Sequence, residues 1–260
     1  MLPDEGDVHM TQVRVVGRRV SVLDLTHESL REAIVTLQLT PSETVTEEKL
    51  TRDLGVSRPI LREAVQRLHT EGLLQRQSNG RLRVSPVSVD EVHHLYAVRT
   101  ALERLAVTEA AGKADDEHQQ LLEVAVDQFR RDAEKDDLGV VRSGGRIHRL
   151  LFDIADNSVN SALMDILRPR IDRYRHISVA SARERPRRSL KELERFLAAF
   201  SRGDALAAAD AMAAHIVQSE RSAVAALREG VSDVEVAEPT TWGAAHPSSS
   251  RSGGRSDRNT

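Results

Sequence analysis

The chain has 260 residues, 40% of them apolar and 30% charged, with a formal net charge of −3 and no cysteine. The missing cysteine excludes disulfides, thiolate zinc sites, iron–sulfur clusters and a cysteine nucleophile. Aromatic residues make up only 3%, which argues against an aromatic-rich β-sandwich and against a stacking platform for single strands. No apolar run reaches the roughly 18 residues of a membrane span. The N-terminus carries Asp4, Glu5 and Asp7 in place of an apolar leader core. The expectation is a soluble cytoplasmic protein with no membrane partner.

Local charge is more telling than the total. From Arg18 to Pro86 there are 11 Lys and Arg against 9 Asp and Glu, so a small basic face fits on an acidic chain. Composition divides the chain into four parts. Residues 1–20 are unpatterned and read as a flexible N-terminus. Residues 21–86 are short, punctuated elements. Residues 87–230 carry long helical patterns. Residues 231–260, rich in Ser, Gly and Arg and holding Trp242, read as a disordered tail.

In chain order, His27 to Leu39 shows a helical stripe at Leu30, Ile34 and Leu37, ended by Thr40-Pro41-Ser42. Thr46 followed by Glu47 and Glu48 starts a second helix, which Gly55 stops. Ser57 is the next candidate N-cap and Pro59 fits the first turn of a third helix, which ends at Gly72. That helix has two faces. Leu61, Ala64, Val65 and Leu68 form the candidate core, while Arg58, Arg62 and Gln66, spaced by four, form a candidate base-reading row. A guanidinium can donate two bonds to O6 and N7 of guanine. The sequence Gln77-Ser78-Asn79-Gly80 between β-like segments is a hairpin signal, and a hairpin behind a recognition helix is a wing. Arg76, Arg81 and Arg83 on that wing suit phosphate contact. Arg31 suits either a phosphate or a pairing with Glu28 or Glu32.

The stretch from Leu30-Arg31-Glu32-Ala33-Ile34 through Val45-Thr46-Glu47-Glu48-Lys49-Leu50 and Leu54-Gly55-Val56-Ser57-Arg58-Pro59-Ile60-Leu61-Arg62-Glu63-Ala64 to Glu71-Gly72-Leu73 resembles the winged-helix domain of GntR-family regulators. The resemblance implies Arg58 and Arg62 as operator-reading arginines, Gly80 as the wing tip, and double-stranded DNA as the partner. Two departures bear on which operator is read. Pro59 lies one position early, with Ile60 in the usual proline position, and Glu48 stands where some relatives have a DNA-contacting arginine.

Ser88 followed by Glu91 reads as a capping box opening the second part. Apolar groups at Val92, Leu95, Val98, Leu102, Leu105 and Ala106 mark its first helix. Further helical patterns lie near 117–133, 140–155, 159–183, 187–202 and 204–229. About six antiparallel helices make a bundle, a natural host for a ligand. The fold class is therefore mainly α: an N-terminal winged helix-turn-helix followed by an all-α antiparallel bundle. Arg183, Arg185, Arg187 and Arg188 around Pro186 read as an exposed basic loop, and adjacent His93 and His94 point to different faces and form no chelate.

The pieces Tyr96 to Glu103, Ile147 to Phe152, Asp156-Asn157 and Gly203-Asp204 through His215-Ile216 resemble the FCD effector domain of the FadR-type subfamily. That resemblance implies a homodimer, a small-molecule effector such as an organic acid, and in many members a divalent metal held by an Asp and three His. Here His148 and His215 match two of those ligands, while Gly144 and Leu193 fall on the other two, so neither a metal nor another cofactor is expected. Asp153 and Asp156 are badly spaced from His148 to replace the carboxylate. The candidate effector residues are His148, His215, Arg99 and Asn157, with Arg99 also well placed to pair with Glu103. The leading expectation is a dimeric, effector-controlled, sequence-specific repressor on a roughly palindromic operator. An effector-independent dimer and an all-α enzyme with a DNA-binding appendage are the rivals.

Overall fold

The computed structural model describes residues 21–135, 137–181 and 184–230. The two expected flexible ends, Trp242 and Arg183 lie outside the described residues. The head is built from α1 (Val22–Val35), β1 (Thr44–Val45), α2 (Glu47–Leu54), α3 (Arg58–Thr70), β2 (Leu74–Arg76) and β3 (Leu82–Val84). Helix α1 begins about two turns before the first residue of its apolar stripe, Leu30. Ser21 caps it, accepting from the Asp24 amide at 3.0 Å while the Asp24 carboxylate accepts from the Ser21 amide at 3.4 Å. It also ends early. Leu37 adopts a left-handed conformation (φ 63°), and the Leu39 amide bonds back to the Ala33 carbonyl at 2.9 Å.

Helices α2 and α3 meet at Gly55 (φ 65°), whose lack of a Cβ tolerates that left-handed cap. Ser57 occupies the N-cap of α3 without making the side-chain bond, and Pro59 lies in the first turn as expected. The three strands pair in the order β1-β3-β2, with Val45 opposite Leu82 and Leu74 opposite Val84. Strand β1 is only two residues long, too short to show alternation in the sequence. Leu30, Ile34, Leu50, Leu61, Leu68 and Leu82 close the head's own core.

The bundle follows as α4 (Val89–Lys113), α5 (Asp116–Asp132), α6 (Asp137–Ala155), α7 (Ser158–Ser181), α8 (Arg185–Phe200) and α9 (Ala205–Arg228). Helix α4 packs chiefly along α9 and α6, α8 on α9, and α5 on α6. The expected helices of this part are all present, within a few residues at their ends. The expected inner face of α4 is not. Val92, Leu95 and Ala106 are buried, but Val98 and Leu105 are 50% and 45% exposed. Tyr96, Arg99 and Glu103 take the inner positions instead. The helix carries apolar groups on two faces, and a polar pair occupies the buried one.

Two further expectations change. The capping box at Ser88 is half made. Its hydroxyl accepts from the Glu91 amide at 3.1 Å, but the Glu91 carboxylate turns to the Tyr174 hydroxyl and to Arg170. The basic run around Pro186 is the first turn of α8, not an exposed loop. Arg185 and Pro186 are buried because they extend the inward face of Ser189, Leu193 and Phe196 back by one turn.

Helix α7 joins the two domains. Arg173 donates to the Ser85 carbonyl at 2.8 Å and the Pro86 carbonyl at 3.2 Å, so the connecting segment is gripped from the bundle side. Arg170 donates to Glu91 at 2.7 Å, and its side chain packs against Gly72.

Candidate nucleic-acid interface and buried cavity

Burying Leu61, Ala64, Val65 and Leu68 fixes the rotation of α3 and turns Arg58, Arg62 and Gln66 to solvent. Ser57, at the start of the same helix, is exposed with its hydroxyl uncommitted to the cap. Across the turn from β2 to β3, the Gln77 amide bonds the Arg81 carbonyl at 2.9 Å and Gly80 takes φ 80°. Arg76 and Arg81 are both exposed on this wing. Arg83 instead donates to the Ser42 carbonyl at 3.3 Å, beside β1.

One carboxylate joins the two parts of this surface. Glu47 accepts from Arg62 Nε at 3.2 Å and from Arg76 Nη2 at 2.7 Å. The Arg76 and Arg62 guanidiniums hold Glu47 below the usual carboxylate range, against the opposing effect of partial burial. Arg31 is not part of this surface. It pairs with Glu28 at 2.6 Å and borders a cleft of about 380 Å³ between α1 and helices α6 and α7.

In the bundle, residues of all six helices α4 to α9 line a cavity of about 40 Å³. His148 and His215 both line it, their rings stacked with centroids 5.5 Å apart. Each is backed by a carboxylate and a guanidinium. Glu103 accepts from His148 Nδ1 and, at 2.7 Å, from Arg99 Nε. Arg99 Nη2 lies 3.1 Å from His148 Nε2. Since arginine only donates, Nε2 must accept, and the ring is neutral with its proton on Nδ1. On the other side His215 Nδ1 lies 2.8 Å from Glu192, which also receives Arg185 at 3.0 and 3.1 Å. Arg185 further donates to the Ser219 hydroxyl at 2.9 Å.

Burial lowers the pKa of His148 far below its ordinary value and that of His215 by less, their carboxylate partners opposing the shift. Glu103 moves the other way. Burial works to raise its pKa, but His148 and Arg99 hold it well below the carboxylate range. Arg175 lines the cavity as well, paired with Asp172 at 2.9 Å, and burial lowers its pKa. The Tyr96 hydroxyl and Arg99 Nη1 are buried without a partner.

Of the four residues expected to meet an effector, only the two histidines line the cavity. Arg99 is buried behind His148. Asn157 caps α7 through the Asn160 amide at 3.1 Å and binds Glu109 at 3.0 and 3.1 Å, away from the cavity. Sequence reasoning did not single out Glu192 or Arg175, and it placed Arg185 in an exposed loop rather than at the cavity. Glu192 stands three residues after Ser189 and seven after Arg185 on α8, a helical spacing that would have placed it on the inward side had Pro186 been taken as the first turn of that helix.

A winged helix with an outward arginine row, followed by a six-helix bundle around a cavity that holds two histidines, defines a two-domain protein of the bacterial regulator type. Residues 26–84 match the family described as bacterial regulatory proteins, gntR family, and residues 91–218 match the FCD domain. The chain belongs to the GntR family and carries an FCD domain.

Among curated relatives, the Nta operon transcriptional regulator of Aminobacter aminovorans is 32% identical over 54% of this chain and 66% of its own length. The uncharacterized HTH-type transcriptional regulator YdhC of Bacillus subtilis is 28% identical over 50% of this chain and 59% of its own length. The HTH-type transcriptional repressor NanR of Cronobacter sakazakii is 29% identical over 59% of this chain and 69% of its own length. Among solved structures, E. coli McbR/YncC shares the fold with a TM-score of 0.71 and 18% identity, over 82% of this chain and all of its own (100%).

Proposed function

We propose that this chain is a DNA-binding transcriptional regulator whose two heads, in a homodimer, read the half-sites of a roughly palindromic operator. The observation that carries the reading is the outward row of Arg58, Arg62 and Gln66 on α3, set beside the wing arginines. Purified protein should select a discrete, two-fold related motif from fragmented genomic DNA, and enrichment of no motif would refute the reading. Repression is the sign we carry over from NanR. Work on the chromosome places the protein in the cytoplasm, and no helix among the described residues is long and apolar enough to cross a membrane.

The dimer contact we assign to the second apolar face of α4 and its continuation on α7. Val98 and Leu105 are about half exposed, as are Leu163 and Ile166, and Asn160 Nδ2 ties the two helices at the Leu102 carbonyl, 3.0 Å away. An exposed apolar face of this kind marks an association surface. A fragment of residues 87–230 should therefore remain dimeric by light scattering.

The cavity is the effector site in this reading, with Arg175 and Arg185 offering donors to a small carboxylate. No metal takes part. Both nitrogens of His148 are already engaged, by Glu103 and Arg99. A Cβ on Gly144 would lie 3.3 Å from the Phe129 ring, which fills the space a carboxylate there would need. Leu193 presents only an apolar wall. Among the described residues no group of three or more His, Asp or Glu is arranged to hold an ion. Elemental analysis after mild purification tests this, and near one equivalent of zinc, nickel or manganese lost on His148→Ala would refute it.

Helix α7 would carry the signal, since Arg173 grips the connecting segment and Arg175 borders the cavity. The small size of the cavity favours a second reading, in which the bundle only dimerises. A volume of this size holds little more than water, so an effector has to spread the helices. A thermal-shift screen of organic acids separates the two, and a hit abolished by Arg185→Ala supports the effector.

A further inference from the structure

Glu47 lies in no position that the sequence marked as DNA-facing, yet among the described residues it is the one side chain bonded to both α3 and the wing. It begins α2, where the helix N-terminus favours a carboxylate and Thr46 caps the first turn through the Lys49 amide at 3.2 Å. Its side chain is 18% exposed, while its partners Arg62 and Arg76 are 66% and 46% exposed. A largely sheltered anion thus holds two cations that reach into solvent. The way it holds Arg62 matters. Its contact is with Nε, which leaves both terminal nitrogens of this exposed guanidinium without a partner among the described residues. Those are the atoms that pair with O6 and N7 of guanine. Arg76 is held through Nη2, with Nη1 on the Gly80 carbonyl at 3.5 Å, so the same carboxylate also ties down the wing.

We propose that Glu47 is a positioning and specificity-determining residue for DNA recognition, aiming Arg62 at a base edge and limiting how freely Arg62 and Arg76 engage phosphate. This rests on the DNA-binding reading above. The physical argument has two parts. An arginine held at Nε keeps one orientation, so less conformational freedom is lost when it reads a base. A fixed negative charge between two phosphate-facing cations opposes binding to any duplex, and hence favours those that also offer the base contact. Discrimination is gained at the expense of general affinity.

The test compares wild type, Glu47→Gln, Glu47→Asp and Glu63→Gln on two duplexes over a range of salt. One duplex is the motif selected by the wild type and the other is unrelated. Glu63 pairs with Arg67 on α3, at 3.3 Å, and its variant is a control for loss of a charge near the helix. For Glu47→Gln we expect tighter binding to the unrelated duplex, a steeper salt dependence, and a specificity ratio about tenfold lower, relaxed at the same base as in Arg62→Ala. Glu47→Asp keeps the charge and should hold the unrelated-duplex affinity near wild type. Glu63→Gln should behave as wild type. The proposal is overturned if Glu47→Gln keeps the wild-type specificity ratio and salt slope. It is equally overturned if the variant weakens both duplexes alike together with a fall in melting temperature, which would mark a purely structural role. A wild type that prefers no sequence overturns the DNA-binding reading, and this proposal with it.

Discussion

The head and the bundle treat their arginines in opposite ways. In the head, Arg58, Arg62, Arg76 and Arg81 are exposed, and the two that are paired share one carboxylate. In the bundle, Arg99 and Arg185 are buried, each against its own glutamate and histidine. Exposed guanidiniums cost little to hold and remain available to a partner. Buried ones are stable only while their compensation is complete. In the proposed function the same residue type therefore serves recognition in one domain and internal order in the other, and substitutions should separate along that line.

The largest effect is expected where compensation is most complete. Arg99→Ala would leave Glu103 buried with His148 alone, and a carboxylate so abandoned destabilises a fold by about 3–5 kcal/mol. The loss should appear in chemical denaturation. A cost under about 1 kcal/mol would show that water reaches the site and that the contrast between the domains is overstated. Arg58→Ala and Arg62→Ala should do the reverse. Each should weaken binding to the selected operator by about 1–3 kcal/mol and relax one base position, with no change in stability. If both bind like wild type, α3 is not the reading helix.

How much of this was legible in the sequence follows the same division. The head's turns announce themselves, because Gly55, Gly72 and Gly80 take positive φ where other residues are strained, and the buried set on α3 repeats at helical spacing. Its β1 strand was illegible because two residues carry no period. In the bundle, helix positions were readable but facing was not. Helix α4 is apolar on two sides, and no periodicity says that Arg99 and Glu103 face inward while Val98 faces out. That choice is made by partners distant in sequence, His148 from α6 above all. The cluster of arginines around Pro186 misled for a related reason. A run of charge reads as solvated surface, and only Glu192, Ser219 and His215 on two helices make a buried place for Arg185.

Acidity should also separate the domains. An ordinary imidazole titrates near 6.5, and both cavity histidines lie lower in the fold. Below that pH the unfolded chain binds more protons than the native one, so native stability falls as pH falls. Each imidazole that stays neutral contributes a slope of up to ~1.4 kcal/mol per pH unit. In the head the lowered groups are carboxylates, Glu47 and Asp24. The stability they supply is present above the ordinary carboxylate range and is lost only as pH drops through it. Between about pH 6.5 and 4.5, then, hydrogen-exchange protection factors, which remove the intrinsic pH dependence of exchange, should fall in α6 and α9 while those of α3 hold. An equal fall in both would mean that the buried triads do not stay neutral at their histidines.

The smallest expected effect distinguishes the two kinds of arginine within the head itself. Arg76 lies on the wing, with the backbone of Gly80 on one side and Glu47 on the other. In the proposed function a residue there reaches phosphate, which every sequence presents alike. Arg76→Ala should weaken binding to operator and unrelated duplex by the same factor and lower the slope of log affinity against log salt by about one. Arg62→Ala should change the ratio between the two duplexes. Measuring both variants over the same salt series sets the two mechanisms side by side. A change of ratio in Arg76→Ala as large as that in Arg62→Ala would mean that the wing also reads bases. The shared carboxylate would then be aligning two base-reading arginines, and the division between a reading helix and a charge-bearing wing would have to be given up.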